Sequence, residues 1–171
     1  MQVSTETIKA LREQTSAGIM ECKRALQEAN GDFEAAAARL IERGYAIAKK
    51  KESRATEQGL IESYVHTGGR IGALVEINCE SDFVARTPEF RELAHDIALQ
   101  VTATRPLYLS TEDVPEGQKF EEDECLLLQP FIKDPTKKIQ DIIAETVTKV
   151  RENIRIKRFA RFELGEDRQD E

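Results

Sequence analysis

Several things this chain lacks narrow its reading. No apolar run approaches the roughly 18 residues that a membrane-crossing helix needs, and the opening MQVSTETIKALRE has no apolar signal core. An intracellular protein without a membrane role is the expectation. The three cysteines, Cys22, Cys79 and Cys125, are odd in number and show no CxxC spacing, and with only two histidines they offer no zinc set. Reduced thiols are expected, two of them on buried faces. The phosphate-cradling pattern GxxxxGK[ST] is missing, and Gly68-Gly69 reads as a turn. No nucleophile can be matched with a base: His66 ends a strand beside that turn, His95 lies on an apolar helix, and no pair of carboxylates is fixed by spacing. Catalysis is therefore the weakest class, and neither a metal nor a cofactor is expected.

What is present describes a folded protein. Hydrophobic residues make up 40% of the 171 and charged ones 33%, enough to bury a core in one medium domain or in a small and a medium one. The net charge of -7 argues against nonspecific nucleic-acid binding. Charge is unevenly placed: Ser110 to Glu124 holds seven acidic residues against Lys119 alone, whereas Arg151 to Arg161 holds five basic residues against Glu152. The acidic run reads as a solvated loop.

Helical periodicity dominates the first 45 residues. Ile8 and Leu11 mark a first helix, and Thr15-Ser16-Ala17-Gly18 breaks it. Cys22, Ala25, Leu26 and Ala29 mark a second helix that Asn30-Gly31 ends in a left-handed cap. Asp32 caps a third, with Phe33, Ala36, Ala37, Leu40 and Ile41 on one stripe up to Gly44. Residues 1–45 thus predict a compact three-helix domain. Of Ile19 and Met20, just after the turn, one is assigned to the core and the other is open as a contact residue. Residues 46–58 read as a helix extension grading into a basic linker around Lys49-Lys50-Lys51.

From Gly59 the period changes. Leu60 to His66 alternates as a strand, Thr67-Gly68-Gly69 supplies a turn, and Ile71, Ala73, Val75, Ile77 and Cys79 continue as a central strand, together a hairpin. Thr87-Pro88 opens a helix with Phe90, Leu93, Ala94, Ile97, Ala98 and Val101 inward, ending before Arg105-Pro106. Asp134-Pro135 is expected to open the last long helix by the same logic, with Ile139, Ile142, Ile143, Val147 and Val150 buried. Asn153 to Leu164 is a final strand, with Ile154, Ile156, Ala160, Phe162 and Leu164 on one side and Arg155, Lys157, Phe159 and Arg161 on the other; Arg158 interrupts the apolar side and marks a place for a bulge. Residues 59–165 therefore predict an α+β layer, an antiparallel three-stranded sheet with helices on one face, and 166–171 an acidic tail.

Between the central strand and the next helix stands Glu80-Ser81-Asp82-Phe83. One reading has Ser81 or Asp82 capping a turn while Phe83 packs inward. The other has an acid and an aromatic offered together at a rigid strand end, as an interface anchor worth roughly 2 to 4 kcal/mol.

The runs VEINCESDFVAR and SYVHTGGRIG closely resemble the core of the elongation factor Ts family. So do IKALREQTSAGIMECKRALQEANGDFEAAAARL before them and QPFIKDPTKKI and ENIRIKRFARFELGE after them, three blocks in the family's order covering most of the chain. The resemblance implies a ubiquitin-associated type of N-terminal three-helix fold and a nucleotide exchange factor that releases GDP from elongation factor Tu in the bacterial cytoplasm or an organelle. It implies that Ser81, Asp82, Phe83 and Val84 disturb the magnesium and phosphate site of that partner, that Arg12, Ile19, Met20 and Lys23 dock the N-terminal domain, and that His66 adds a contact. Direct nucleic-acid binding is not implied. Two departures stand out: the family more often has Gly where Ser16 stands and Met where Ile19 stands, and it usually carries a helical insertion where this chain has only the acidic loop. Since the chain holds one copy of a core that longer members carry twice, pairing of two chains through the sheet is an expectation. The competing readings are a single-strand nucleic-acid binder using Arg155, Lys157, Phe159 and Arg161 as a basic, aromatic face, and a ubiquitin-type adaptor resting on the N-terminal bundle alone.

Overall fold

A computed structural model describes residues 3–166. Five residues of the expected acidic tail, 167–171, lie outside the described residues. The N-terminal helices are α1 (Thr5–Thr15), α2 (Ile19–Glu28) and α3 (Phe33–Lys51). Each starts where a side chain takes up a free backbone N–H. Ser4 Oγ accepts from Thr7 at 3.1 Å, Glu21 reaches back to the N–H of Gly18 at 3.1 Å, and Asp32 accepts from Ala35 at 3.0 Å. Leu11, Cys22, Ala25, Leu26, Ala36, Ala37 and Leu40 form their common core.

Helix α3 does not stop near Gly44. It runs on to Lys51, through the first part of the stretch read as a helix extension grading into a linker, because its second half has something to pack on. Gly44 faces the Thr148 hydroxyl, Ala48 joins the second core, and Lys51 Nζ donates to the carbonyl of Arg151 at 2.7 Å. The bundle is thereby joined to the rest of the chain through a long helix.

The sheet contains β1 (Gln58–Val65), β2 (Ile71–Cys79) and β5 (Ile154–Glu163), all antiparallel in the order β1-β2-β5. Helices α5 (Pro88–Thr104) and α6 (Ile139–Val150) cover one face of the core, with Phe90, Ile97, Val101, Ile139 and Val147 packed against Val75 and Ile77. This is the expected α+β arrangement. Burying each such side chain is worth about 1.5–3 kcal/mol.

Two local expectations are overturned. The first is Asp134-Pro135, which opens no helix: Asp134–Lys138 is strand β4, paired with β3 (Pro130–Phe131) in a small hairpin. Asp134 spends its carboxylate on Thr136, two residues on, and this holds its pKa below the usual carboxylate range. Helix α6 begins instead where Asp141 accepts from the N–H of Lys138 at 2.7 Å. Buried Gln100 ties the hairpin to α5 by donating to the Pro130 carbonyl at 3.1 Å and accepting from Ile132 at 3.0 Å.

The second concerns the face assignment of β5. Glu76 pairs with Arg158 and Ile77 with Ile156, so Lys157 is the extra residue of a bulge. Beyond it the alternation changes phase. Phe159 and Arg161 oppose Val75 and Ala73 on the helix-covered side, while Ala160 and Phe162 oppose Leu74 and Gly72 on the open side. Arg161 is 11% exposed at its side chain and donates to the Thr102 carbonyl in the last turn of α5 at 3.1 Å.

The β1–β2 pairing is close enough at Gly59 to exclude any side chain. Its φ is +149°, and a Cβ there would lie 2.1 Å from the Ile77 carbonyl oxygen. Gly59→Ala is therefore expected to lower the unfolding free energy by at least about 2 kcal/mol, read as a fall in the urea midpoint at unchanged slope.

Candidate functional site

The central strand β2 ends at Cys79, and the chain turns through Glu80 and Ser81 into a single helical turn, α4 (Asp82–Ala85). Four residues cannot hold a helix by their own hydrogen bonds, so the turn depends on what fastens it. Inside, Val84 and Ala85 are buried in the main core. Behind, the hydroxyl of Thr87 donates to the Val84 carbonyl at 2.8 Å. In front, Ser81 caps the turn weakly through Val84 N–H at 3.4 Å.

The geometry decides between the two readings of Phe83. Its side chain does not pack inward; the residue is 79% exposed, the most exposed large apolar residue among those described. A phenyl ring held in water on a rigid corner is a feature of the kind protein interfaces use as an anchor. Beside it Asp82 is half exposed and paired with Arg86 at 2.8 Å. Such a surface pair is worth about 0–1 kcal/mol, so a partner can take the carboxylate over at little cost.

Beneath the corner lies Cys79, whose Sγ is 3.1 Å from the Ser81 carbonyl. Burial, with the Glu152 charge adding to it, pushes this thiol up to about 11 from its ordinary 9.0. Cys22 and Cys125 are also buried and raised by the same desolvation, and all three are free.

A second exposed apolar pair stands on the N-terminal bundle. Neither Ile19 nor Met20 belongs to the core: they are 55% and 72% exposed in the first turn of α2, whose buried stripe is Cys22, Ala25 and Leu26. The turn before them places Ser16 at φ +57°, the left-handed region that favours glycine. Arg12, Ile19 and Met20 line one wall of an open groove of about 840 Å³, and Glu89, Lys149 and Arg151 line the other. Those three core-side residues escaped sequence reasoning because nothing local marks them; only the crossing of α3 over α6 brings them opposite α2. Glu89, in the first turn of α5, links the groove to the Phe83 corner along the chain. Lys23 is exposed on α2 but outside the groove lining.

His66 is not brought to either feature. It closes the β1–β2 hairpin, its N–H donating to the Ile71 carbonyl at 2.9 Å, while the Phe83 corner leaves the other end of β2. Its ring is 3.3 Å from the Tyr64 hydroxyl. His95 meets the edge of Tyr64 and lies 3.5 Å from Glu62. The basic, aromatic strand face is also absent as drawn. The bulge turns Phe159 and Arg161 toward the helices, leaving Arg155 outside and bonded to the Glu52 carbonyl. Among the described residues no group of three or more His, Cys, Asp or Glu side chains is placed to hold a metal ion, and no helix is long and apolar enough to cross a membrane.

The family model for elongation factor Ts matches residues 1–118 and 116–166. The chain belongs to the elongation factor Ts family. It is 47% identical to the elongation factor Ts of Thermotoga maritima over 199 aligned positions, covering 99% of this chain and 100% of the relative. It is 46% identical to that of Carboxydothermus hydrogenoformans, covering 96% and 90%, and 43% identical to that of Moorella thermoacetica, covering 96% of each. An alignment of 199 positions against a chain of 171 residues means the Thermotoga relative carries residues missing here. The two family-matching pieces meet at 116–118, inside the acidic loop.

The buried thiols give a test of this corner. At pH 8 the native protein should react slowly with a thiol reagent, and all three cysteines should react after denaturation. Because the folded Cys79 thiol keeps its proton while the unfolded one loses it, stability should be intact below pH 9 and fall as pH rises toward about 11. Urea midpoints across that range should drop less for Cys79→Ala than for the parent.

Proposed function

We propose that the chain is a nucleotide exchange factor that promotes GDP release from elongation factor Tu during translation elongation. The observation that carries this reading is the exposed Phe83 beside Asp82 on a fixed turn, in a member of the elongation factor Ts family. GDP is held in a G-protein by magnesium and by backbone cradling of its phosphates, so a carboxylate and a ring pushed against that region loosen it without breaking a bond. Ser81 and Val84 set the turn, Asp82 and Phe83 make the contact, and Arg12, Ile19, Met20 and Lys23 hold the partner from the N-terminal bundle. His66 adds a contact from the far end of the hairpin. The factor contributes binding energy alone and acts as no catalyst of covalent chemistry. By linkage, GDP must weaken the factor's affinity by the same ratio by which the factor weakens GDP. The bacterial relatives favour the cytoplasm as the place of action.

The open face of the sheet supports a second copy of this chain as a further partner. Ile61, Val65, Leu74, Phe162 and Leu164 form an exposed apolar surface there, bordered by the Glu76–Arg158 pair at 2.8 Å. Face-to-face pairing about a two-fold axis would remove it from water and give the assembly two Phe83 corners.

The exchange reading is tested by mixing the protein with elongation factor Tu carrying fluorescent GDP. Release should accelerate with factor concentration to a plateau, and the double substitution Asp82→Ala with Phe83→Ala should slow it at least about tenfold while circular dichroism stays unchanged. No acceleration at saturating factor would remove the reading. For the pairing, sedimentation at micromolar concentration should give a dimer, and Phe162→Lys should give a folded monomer; a monomeric parent would count against it.

A further inference from the structure

The Phe83 corner is held in front by residues that no sequence motif connects to it. Glu152, in the turn between α6 and β5, commits both carboxylate oxygens to Ser81: one accepts from the Ser81 N–H at 2.9 Å and the other from its hydroxyl at 2.6 Å. Among the described residues Glu152 has no ion-pair partner, so nothing else there shares its charge. The next residue, Asn153, is buried and does two things. Its N–H donates to Glu80 at 2.7 Å, and its side-chain amide donates to the carbonyls of Arg54 at 2.9 Å and Glu52 at 3.3 Å, just beyond the end of α3. Arg54 closes the ring from outside through Glu80 at 3.4 Å. Arg151, on the other side of Glu152, adopts φ +62° and offers its carbonyl to Lys51.

Three chain segments thus converge on two adjacent residues: the end of the bundle's long helix, the corner after β2, and the turn before β5. The α4 turn is too short to set its own direction, and its cap bond from Val84 is long. The direction of the Phe83 ring is therefore decided by where Ser81 is pinned. The turn carrying Glu152 is held in turn to the end of α3, which runs back into the bundle that bears the other docking surface.

We infer that Glu152, seated by Asn153, is a positioning residue that aims the Asp82–Phe83 turn at the partner and sets its distance from the N-terminal bundle. This rests on the exchange reading above. It makes no contact with the nucleotide. A ring displaced by an ångström still binds through the bundle but no longer meets the site it must disturb, and misplacement on that scale costs up to about a hundredfold in rate. Loss of Glu152 is accordingly a defect in maximal rate with the half-saturating concentration preserved, whereas loss of Met20 is a defect in half-saturation.

The test is the plateau rate and half-saturating concentration of fluorescent GDP release for the full-length parent, Glu152→Ala, Glu152→Gln and Ser81→Ala. Glu152→Ala is expected to lower the plateau by about tenfold or more, with the half-saturating concentration within about twofold of the parent. Glutamine can still accept from the Ser81 N–H and donate to its hydroxyl, so Glu152→Gln should recover most of the rate. The double variant Ser81→Ala with Glu152→Ala should be no slower than the worse single one, since both remove one connection. Thermal midpoints monitor folding, and the glutamine variant carries the test should alanine unfold the chain: a Gln plateau as low as that of a Phe83→Ala control would overturn the proposal. A parent that accelerates release with a folded Glu152→Ala variant of equal plateau overturns this inference alone. A parent that fails to accelerate release overturns the exchange reading and this inference with it.

Discussion

Strand β2 is hydrogen-bonded along both edges and covered on one face by the core that α5 and α6 help to build, and the rest of the molecule takes its position from it. Ala73, Val75, Ile77 and Cys79 are all buried against those helices. A strand so enclosed cannot shift register without exposing its whole apolar set, because a one-residue slip exchanges the two faces. Its last residue is therefore a fixed point. The chain leaves Cys79 from a set place and in a set direction, and the first thing it builds there is the corner with Phe83.

Rigidity on one side and exposure on the other give the corner its character. A large apolar residue on a mobile loop would fold back onto the protein; here Val84 and Ala85 occupy the only inward directions of the turn, and Phe83 is left outside. The same logic applies to Ile19 and Met20, which open α2 one turn ahead of its buried stripe and are left outside the bundle core. The two apolar surfaces are kept apart by covalent and packed connections, above all the continuous helix α3. That helix crosses from the bundle core to the main core and ends against the turn holding Glu152 and Asn153.

Much of the fold was legible from residue patterns. The capping residues Asp32 and Thr87, the left-handed Asn30-Gly31 and the alternation from Ile71 to Cys79 are local signals, and each appears where expected. The misreadings have a common cause. Asp134-Pro135 carries the local chemistry of a helix start, but the Asp134 carboxylate is engaged by Thr136 and the backbone is recruited into a hairpin on Gln100. Arg158 signalled irregularity in β5, yet which residue was extra depended on pairing with Glu76 and Ile77. The bulge then reversed the faces of Phe159 and Arg161 and dismantled the basic, aromatic surface drawn from simple alternation.

By itself the sequence determined the order and kind of most elements, the buried stripes of the helices, the family, and the presence of an acid and an aromatic at one strand end. Those are properties of neighbours three or four residues apart, where propensity, capping and periodicity act. The tertiary structure alone decided that Phe83 faces water, that Ile19 and Met20 both do, that Glu89, Lys149 and Arg151 stand across a groove from them, and that Glu152 grips Ser81. Exposure and long-range hydrogen bonding depend on which distant segments come to pack together. That is set by the summed burial of the core, which no local window of residues contains.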